Sequence, residues 1–114
     1  MILSAGKTNV QQLLAGNVSG KKYFKLGVGT SSAPASPGDT ALTGAVIKPI
    51  VTYSYLPGFI LQLTATLAAG DPAMTIREIG VYNEDDVLIH RKVITDKIKT
   101  AGVSYVINYK IPIQ

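Results

Sequence analysis

A chain of 114 residues, 46% hydrophobic and 16% charged, has room for one hydrophobic core and not for two. Without cysteine it has no disulfide framework, thiol nucleophile or thiolate metal site, and no window approaches the roughly 18 apolar residues of a membrane-spanning helix. The net charge is +4, and the whole excess falls in residues 1–38, where Lys7, Lys21, Lys22 and Lys25 stand without a single acid. A charged share this far below the usual value of about 25% points to apolar surface left for assembly.

In chain order, Met1-Ile2-Leu3 is broken at once by Ser4, which is too short an apolar run for a signal peptide; synthesis in the cytoplasm without a cleaved leader is expected. Residues 1–20 form an N-terminal helical segment. Ser4 caps a short helix to Ala15, Val10, Leu13 and Leu14 fall at helical spacing, Gly16 ends it and Asn17 to Gly20 turns. A helix of about three turns is marginal alone and needs a surface to lie on, for which its own sheet is the expected partner.

Tyr23 to Gly29 reads as a strand ending in Gly-Val-Gly-Thr. The pattern lacks the third glycine and the Gly-Lys-Ser/Thr of a phosphate loop, so Gly27 and Gly29 are read as allowing a bend or a close backbone approach. Residues 30–40 are rich in Ser, Ala and Pro and form an exposed loop, the expected contact element. Asp39-Thr40-Ala41-Leu42 forms a turn before the next strand.

Val46 to Tyr55 and Phe59 to Leu67 read as strands joined by Leu56-Pro57-Gly58, with Pro49 marking an edge position or a bulge. In the second, Phe59, Leu61, Leu63, Ala65 and Leu67 alternate with Ile60, Gln62, Thr64 and Thr66, the period of a strand with one buried face. In the first, Ile47, Val51, Tyr53 and Tyr55 share a face. Residues 75–93 are the central hairpin: Thr75 to Tyr82 and Val87 to Val93 flank the polar break Asn83-Glu84-Asp85-Asp86. Ile79 and Val81 point one way, and Ile76, Glu78 and Tyr82 the other. Arg77 and Glu78 interrupt the apolar pattern. If they face inward they must be paired, by holding loop backbone or a neighbouring subunit, and otherwise they are solvated edge charges. Thr95 to Gly102 reads as a polar loop and Val103 to Ile113 as a last alternating strand. The pattern as a whole is mainly β: one domain over residues 1–114, an antiparallel β-sandwich or barrel, with the sandwich of five to seven strands favoured and one short N-terminal helix.

Catalytic, cofactor and metal residues are not expected. His90 is the one histidine and reads as an outward-facing strand residue. The acidic tip Glu84-Asp85-Asp86 lacks the spacing and glycine of a calcium loop.

The residues also carry a resemblance. Ile76-Arg77-Glu78-Ile79-Gly80-Val81-Tyr82, a polar turn and Val87-Leu88-Ile89-His90-Arg91 resemble a hairpin of tailed-bacteriophage structural proteins, notably tail-fibre, collar and neck-associated proteins, with Asp85-Asp86 where the family usually has glycine. Upstream, Lys25-Leu26-Gly27-Val28-Gly29-Thr30, the Ser/Ala/Pro loop and Asp39-Thr40-Ala41-Leu42 are similar to the signature preceding that hairpin, and Lys99-Thr100-Ala101-Gly102 before a last strand also fits. The resemblance implies a non-enzymatic virion protein without cofactor that forms homo-oligomers and docks other virion proteins, as a compact tail, neck or collar adaptor. It assigns fold and assembly to Arg77, Glu78, Gly80, Tyr82, Gly27, Gly29 and Asp39. Its alternatives are a capsid-attached head-fibre or decoration protein, and a host-glycan-binding module whose stacking residues would be Tyr23 and Tyr82, since Tyr53, Tyr55, Tyr105 and Tyr109 fall on core-like faces. A basic contact face of Lys7, Lys21, Lys22 and Lys25 is the third reading, with steeply salt-dependent DNA binding as its signature. Nucleic acid and membrane are not the expected partners.

Overall fold

The computed structural model describes residues 1–14 and 22–112, and residues 12–14 by their backbone alone. Helix α1 (Ser4–Leu14) is followed by strands β1 (Tyr23–Gly29), β2 (Val46–Pro49), β3 (Thr52–Leu56), β4 (Ile60–Leu67), β5 (Met74–Asn83), β6 (Leu88–Lys99) and β7 (Tyr105–Pro112). All pairings are antiparallel and give two sheets, β2-β1-β5-β6 and β3-β4-β7. They face each other across one core of Leu26, Val28, Ile76, Ile79, Val81 and Ile89 from the first sheet and Leu63, Ala65, Leu67, Ile107 and Tyr109 from the second. The fold is thus the expected mainly β sandwich with one short helix.

The expected strand Val46 to Tyr55 is two strands in different sheets. Pro49, which has no N–H to offer a ladder, ends β2 at the sheet edge. The Ile50 N–H then bonds the Phe24 carbonyl and the Val51 N–H the Thr64 carbonyl, so the chain steps from one sheet to the other between adjacent residues. This separates the side chains expected to share a face: Tyr53 is half-buried, while Ile47, Val51 and Tyr55 are exposed. Phe59 is also exposed, because it forms the β3–β4 turn with a positive φ instead of starting the strand.

The four-stranded sheet is covered on both faces. The three-stranded sheet covers one; on the other, Leu3 and Leu42 join Tyr82 and Leu88 in a second, smaller cluster. The start of the chain also pairs with β6: the Leu3 N–H bonds the Ile89 carbonyl, the Arg91 N–H bonds the Met1 carbonyl, and Ile2 bridges His90. Helix α1 then lies on its own sheet. A Cβ at Gly6 would strike the Ile89 carbonyl, so glycine sets how closely the helix approaches β6. The expected spacing of Leu13 and Leu14, the stop at Gly16 and the turn Asn17 to Gly20 fall outside the described side chains or residues.

Three further expectations are corrected. The polar segment Thr95 to Lys99 is not a loop but the end of β6, paired with Met74 to Ile76, and the turn falls at Thr100–Gly102. Within it Lys99 is buried, its ammonium group donating to the Asp71 and Thr100 carbonyls, so a charged residue occupies an inward position by finding carbonyl partners. Ile76 joins Ile79 and Val81 in the main core because the register shifts between Ile76 and Glu78, which reverses the alternation on one side of the irregularity. His90 is buried, not outward-facing: its Nε2 lies 3.0 Å from the Tyr23 hydroxyl, and its ring meets Tyr23 and Tyr109 edge-on. Burial, with the charge of the chain's amino terminus, pushes its pKa down to about 4.

Candidate functional site

The outer face of the four-stranded sheet is shaped by the absence of side chains. Gly27 on β1 and Gly80 on β5 are directly paired and leave a hollow. Leu42 fills it: a Cβ on Gly27 would come within 2.8 Å of the Tyr82 ring and 3.1 Å of Leu42, and one on Gly80 within 3.2 Å of Leu42. Two residues along the ladder Gly29 pairs with Glu78, and here a Cβ would collide with the Glu78 carboxylate and sit 2.8 Å from the Thr43 carbonyl. All three glycines are therefore required by close approach.

Glu78 is the centre of this face. Its side chain is 1% exposed, and both oxygens are occupied: Oε2 accepts the backbone N–H groups of Ser31 and Thr43, each at 2.9 Å, and Oε1 accepts Arg91 Nε at 2.8 Å. Arg91, 4% exposed, is paired with Gly80 in register and so projects over the same hollow. It donates onward to Asp39 Oδ2 at 3.0 Å and to the Ala33 carbonyl at 2.9 Å. Asp39 also accepts the Ser36 N–H at 2.8 Å, and that bond, followed by the Arg91 guanidinium, holds its carboxyl below the ordinary carboxylate range. Residues 30–43 are thus a clasped loop, tied at both ends by one carboxylate and in the middle by one guanidinium.

Among the residues expected to carry fold and assembly, Glu78, Gly80, Tyr82, Gly27, Gly29 and Asp39 meet here. Tyr82 is buried, not exposed, which corrects its expected place among surface stacking residues; burial and then the nearby Glu78 charge raise its hydroxyl pKa. Tyr23 is only half-exposed, with its hydroxyl turned to His90. Arg77 lies at the rim, reaching the Thr30 carbonyl at 3.4 Å and Asp96 at 3.3 Å. Of the two charges that break the strand pattern, one is buried and paired and the other half-exposed. Arg91 was given no role by sequence reasoning. Its signal was an arginine following Leu88-Ile89-His90, opposite a strand that carries a lone inward acid.

Of the lysines expected to form a basic face, Lys22 and Lys25 meet the acidic hairpin tip. Lys25 is bound to Asp86 at 2.7 Å, Glu84 accepts the backbone N–H of Lys22, and the Lys22 ammonium lies 5.8 Å from the centre of the Tyr53 ring. Lys7 is exposed on α1, and Lys21 lies outside the described residues. The acidic hairpin tip therefore sits against the basic end of β1. Asn83 shapes that tip: its Oδ1 accepts the N–H groups of Asp85 and Val87, its Nδ2 donates to Asn9 of the helix, and Asp86 takes the left-handed φ of 59°.

Glu78 is buried with both carboxylate oxygens hydrogen-bonded, and the ion pair it forms with Arg91 is directed at the loop backbone and Asp39. Its chemistry is positional, since it sets the course of an otherwise irregular loop. Among the described residues no group of histidine and carboxylate side chains is placed to hold a metal ion, and no helix is long and apolar enough to cross a membrane. No family model, curated protein or solved structure matches the chain.

Proposed function

We propose that the protein is a non-enzymatic structural component of a tailed-bacteriophage virion, an adaptor of the tail, neck or collar type that self-associates and docks other virion proteins. The observation that carries this reading is the convergence of the three stretches that gave the resemblance. Residues 25–30 and 39–42 lie more than 30 residues before 76–91, yet Gly29, Asp39, Leu42, Glu78, Gly80 and Arg91 form one interlocked unit. Such a unit supports an assembly role, because a loop without regular structure keeps one shape and is ready to be gripped without a large ordering cost. Exposed apolar side chains, among them Val51, Tyr55, Phe59 and Ile98, add surface suited to contact with other subunits.

The test is protein mass spectrometry of purified phage particles whose genome encodes this chain, with the copy number read against the major capsid protein. Recovery at a fixed stoichiometry in intact particles is expected. Its absence from particles while it accumulates in the infected cell would overturn the reading.

A further inference from the structure

The β3–β4 hairpin stands apart from the rest of the surface. Residues 49–70 contain no Asp, Glu, Lys, Arg or His, although the chain as a whole carries 11 basic and 7 acidic residues. At its tip Tyr55 is 88% exposed and Phe59 79%, and with Leu56, Pro57, Gly58, Ile60 and Leu61 they line a shallow recess of about 350 Å³. Phe59 holds its ring there at a φ of 60°, a left-handed conformation that glycine or asparagine adopts readily and a bulky aromatic residue does not. The cost of such a conformation is of order 1 kcal/mol, and it is borne here by a side chain that packs little against its own fold.

We propose that this hairpin tip is a homotypic contact surface, whose occupant is the same tip of a second copy of the chain. The inference rests on the self-associating role argued above and assigns it a place. The argument is one of charge. In a symmetric contact each face meets its own image, so a charge on the axis meets a like charge, and a tip without charge can lie on that axis free of the repulsion. The hairpin supplies such a tip. Beyond the aromatic tip the hairpin continues through the neutral Thr52, Ser54, Gln62 and Thr64, the last two donating to Asn108 of β7, and the first cation met is the exposed Lys110 beside Gln62, so the contact is confined to the tip. The tip itself carries no cation to draw an acidic partner or nucleic acid.

Two aromatic side chains so exposed present on the order of 300 Å² per copy, below the area of a tight permanent interface, so the contact is a weak, reversible one. The experiment is sedimentation analysis of the full chain from micromolar to millimolar concentration, for wild type, Tyr55→Glu, Phe59→Gly and Ile98→Ser. Phe59→Gly removes the ring and gives the left-handed position a residue that favours it, so the fold survives with an unchanged or raised thermal midpoint. Tyr55→Glu places a charge opposite its own copy. Ile98, 73% exposed on β6, is the control for general stickiness.

Expected are a concentration-dependent dimer in wild type and Ile98→Ser, and dissociation constants raised at least about tenfold in both tip variants. Association that survives the tip variants, or that falls equally in Ile98→Ser, overturns the assignment to the hairpin and leaves the virion role standing. A wild-type mass of one chain at every concentration overturns homotypic contact altogether. Binding of a neutral oligosaccharide to that monomer through Tyr55 would overturn it equally. Particle mass spectrometry then decides the virion reading separately.

Discussion

Glu78 and Arg91 form a 2.8 Å ion pair with side chains 1% and 4% exposed, and between them they bind three backbone groups and one carboxylate of the loop at residues 30–43. Burial of two charges is costly, and here each is compensated almost fully: the carboxylate by three donors, the guanidinium by three acceptors. The pair is therefore better understood as fixing the loop than as adding net stability.

Removing one partner exposes the cost that the other had offset. Glu78→Ala leaves a buried guanidinium and two unpaired amides, and Arg91→Ala a buried carboxylate; each is expected to destabilise by about 3–5 kcal/mol. Denaturant unfolding measures the size. Hydrogen exchange at the Ser31 and Thr43 amides measures the mechanism, and should accelerate in Glu78→Ala well beyond the change in amides of β4. Uniform acceleration would show that the loop is not held locally.

The glycine hollow gives a graded prediction. Gly29→Ala drives a methyl group into the Glu78 carboxylate and towards the Thr43 carbonyl, neither free to move, whereas in Gly27→Ala the nearest atoms are side chains of Tyr82 and Leu42. Overpacking costs of about 1–3 kcal/mol are expected for Gly27→Ala, with Gly29→Ala more damaging. Thermal unfolding of the two variants in parallel checks the order, and the reverse order would contradict the packing described.

Much of the sheet was legible because the three-stranded sheet buries one face only. Leu63, Ala65 and Leu67 on β4 and Ile107 and Tyr109 on β7 follow the period of two as read. The four-stranded sheet was less legible for the opposite reason: covered on both faces, it places Tyr82, His90 and Arg91 inside by contacts with the helix, the loop and Tyr23, none local in sequence. The change of sheet at Pro49–Val51 was missed because proline signals an interruption but not the direction the chain takes afterwards. Lys99 shows a similar limit, since a lysine near a turn reads as solvent-exposed unless the Asp71 and Thr100 carbonyls that receive it are known.

Asn83 links the hairpin tip to the helix, and the two roles separate by mutation. Asn83→Ala removes the acceptor for the Asp85 and Val87 amides as well as the bond to Asn9, while Asn9→Ala removes the helix side alone. The first is expected to cost about 2 kcal/mol and the second about 1. Two-dimensional amide spectra distinguish them: shifts at Asp85 and Val87 should be large only in Asn83→Ala. Equal perturbation of the turn by both would mean that the helix, not Asn83, shapes the tip.

His90 should make the fold sensitive to mild acid. Its pKa is depressed from the ordinary 6.5 to about 4, chiefly by burial and then by the amino terminus. The folded state thus binds the proton more weakly than the unfolded state. The stabilisation is complete above the unfolded value and is lost progressively as the pH falls from 6.5 towards 4, by about 3 kcal/mol over that window. Asp39 and Asp71, whose pKa values are lowered by their hydrogen-bond partners, lose their contributions only below the usual carboxylate range, so the two effects separate in pH. His90→Gln keeps a polar group near the Tyr23 hydroxyl and removes the titration. Denaturant midpoints from pH 7 to pH 4.5 should fall steeply for wild type and stay nearly flat for the variant. Parallel curves for the two proteins would mean that acid acts on some other group.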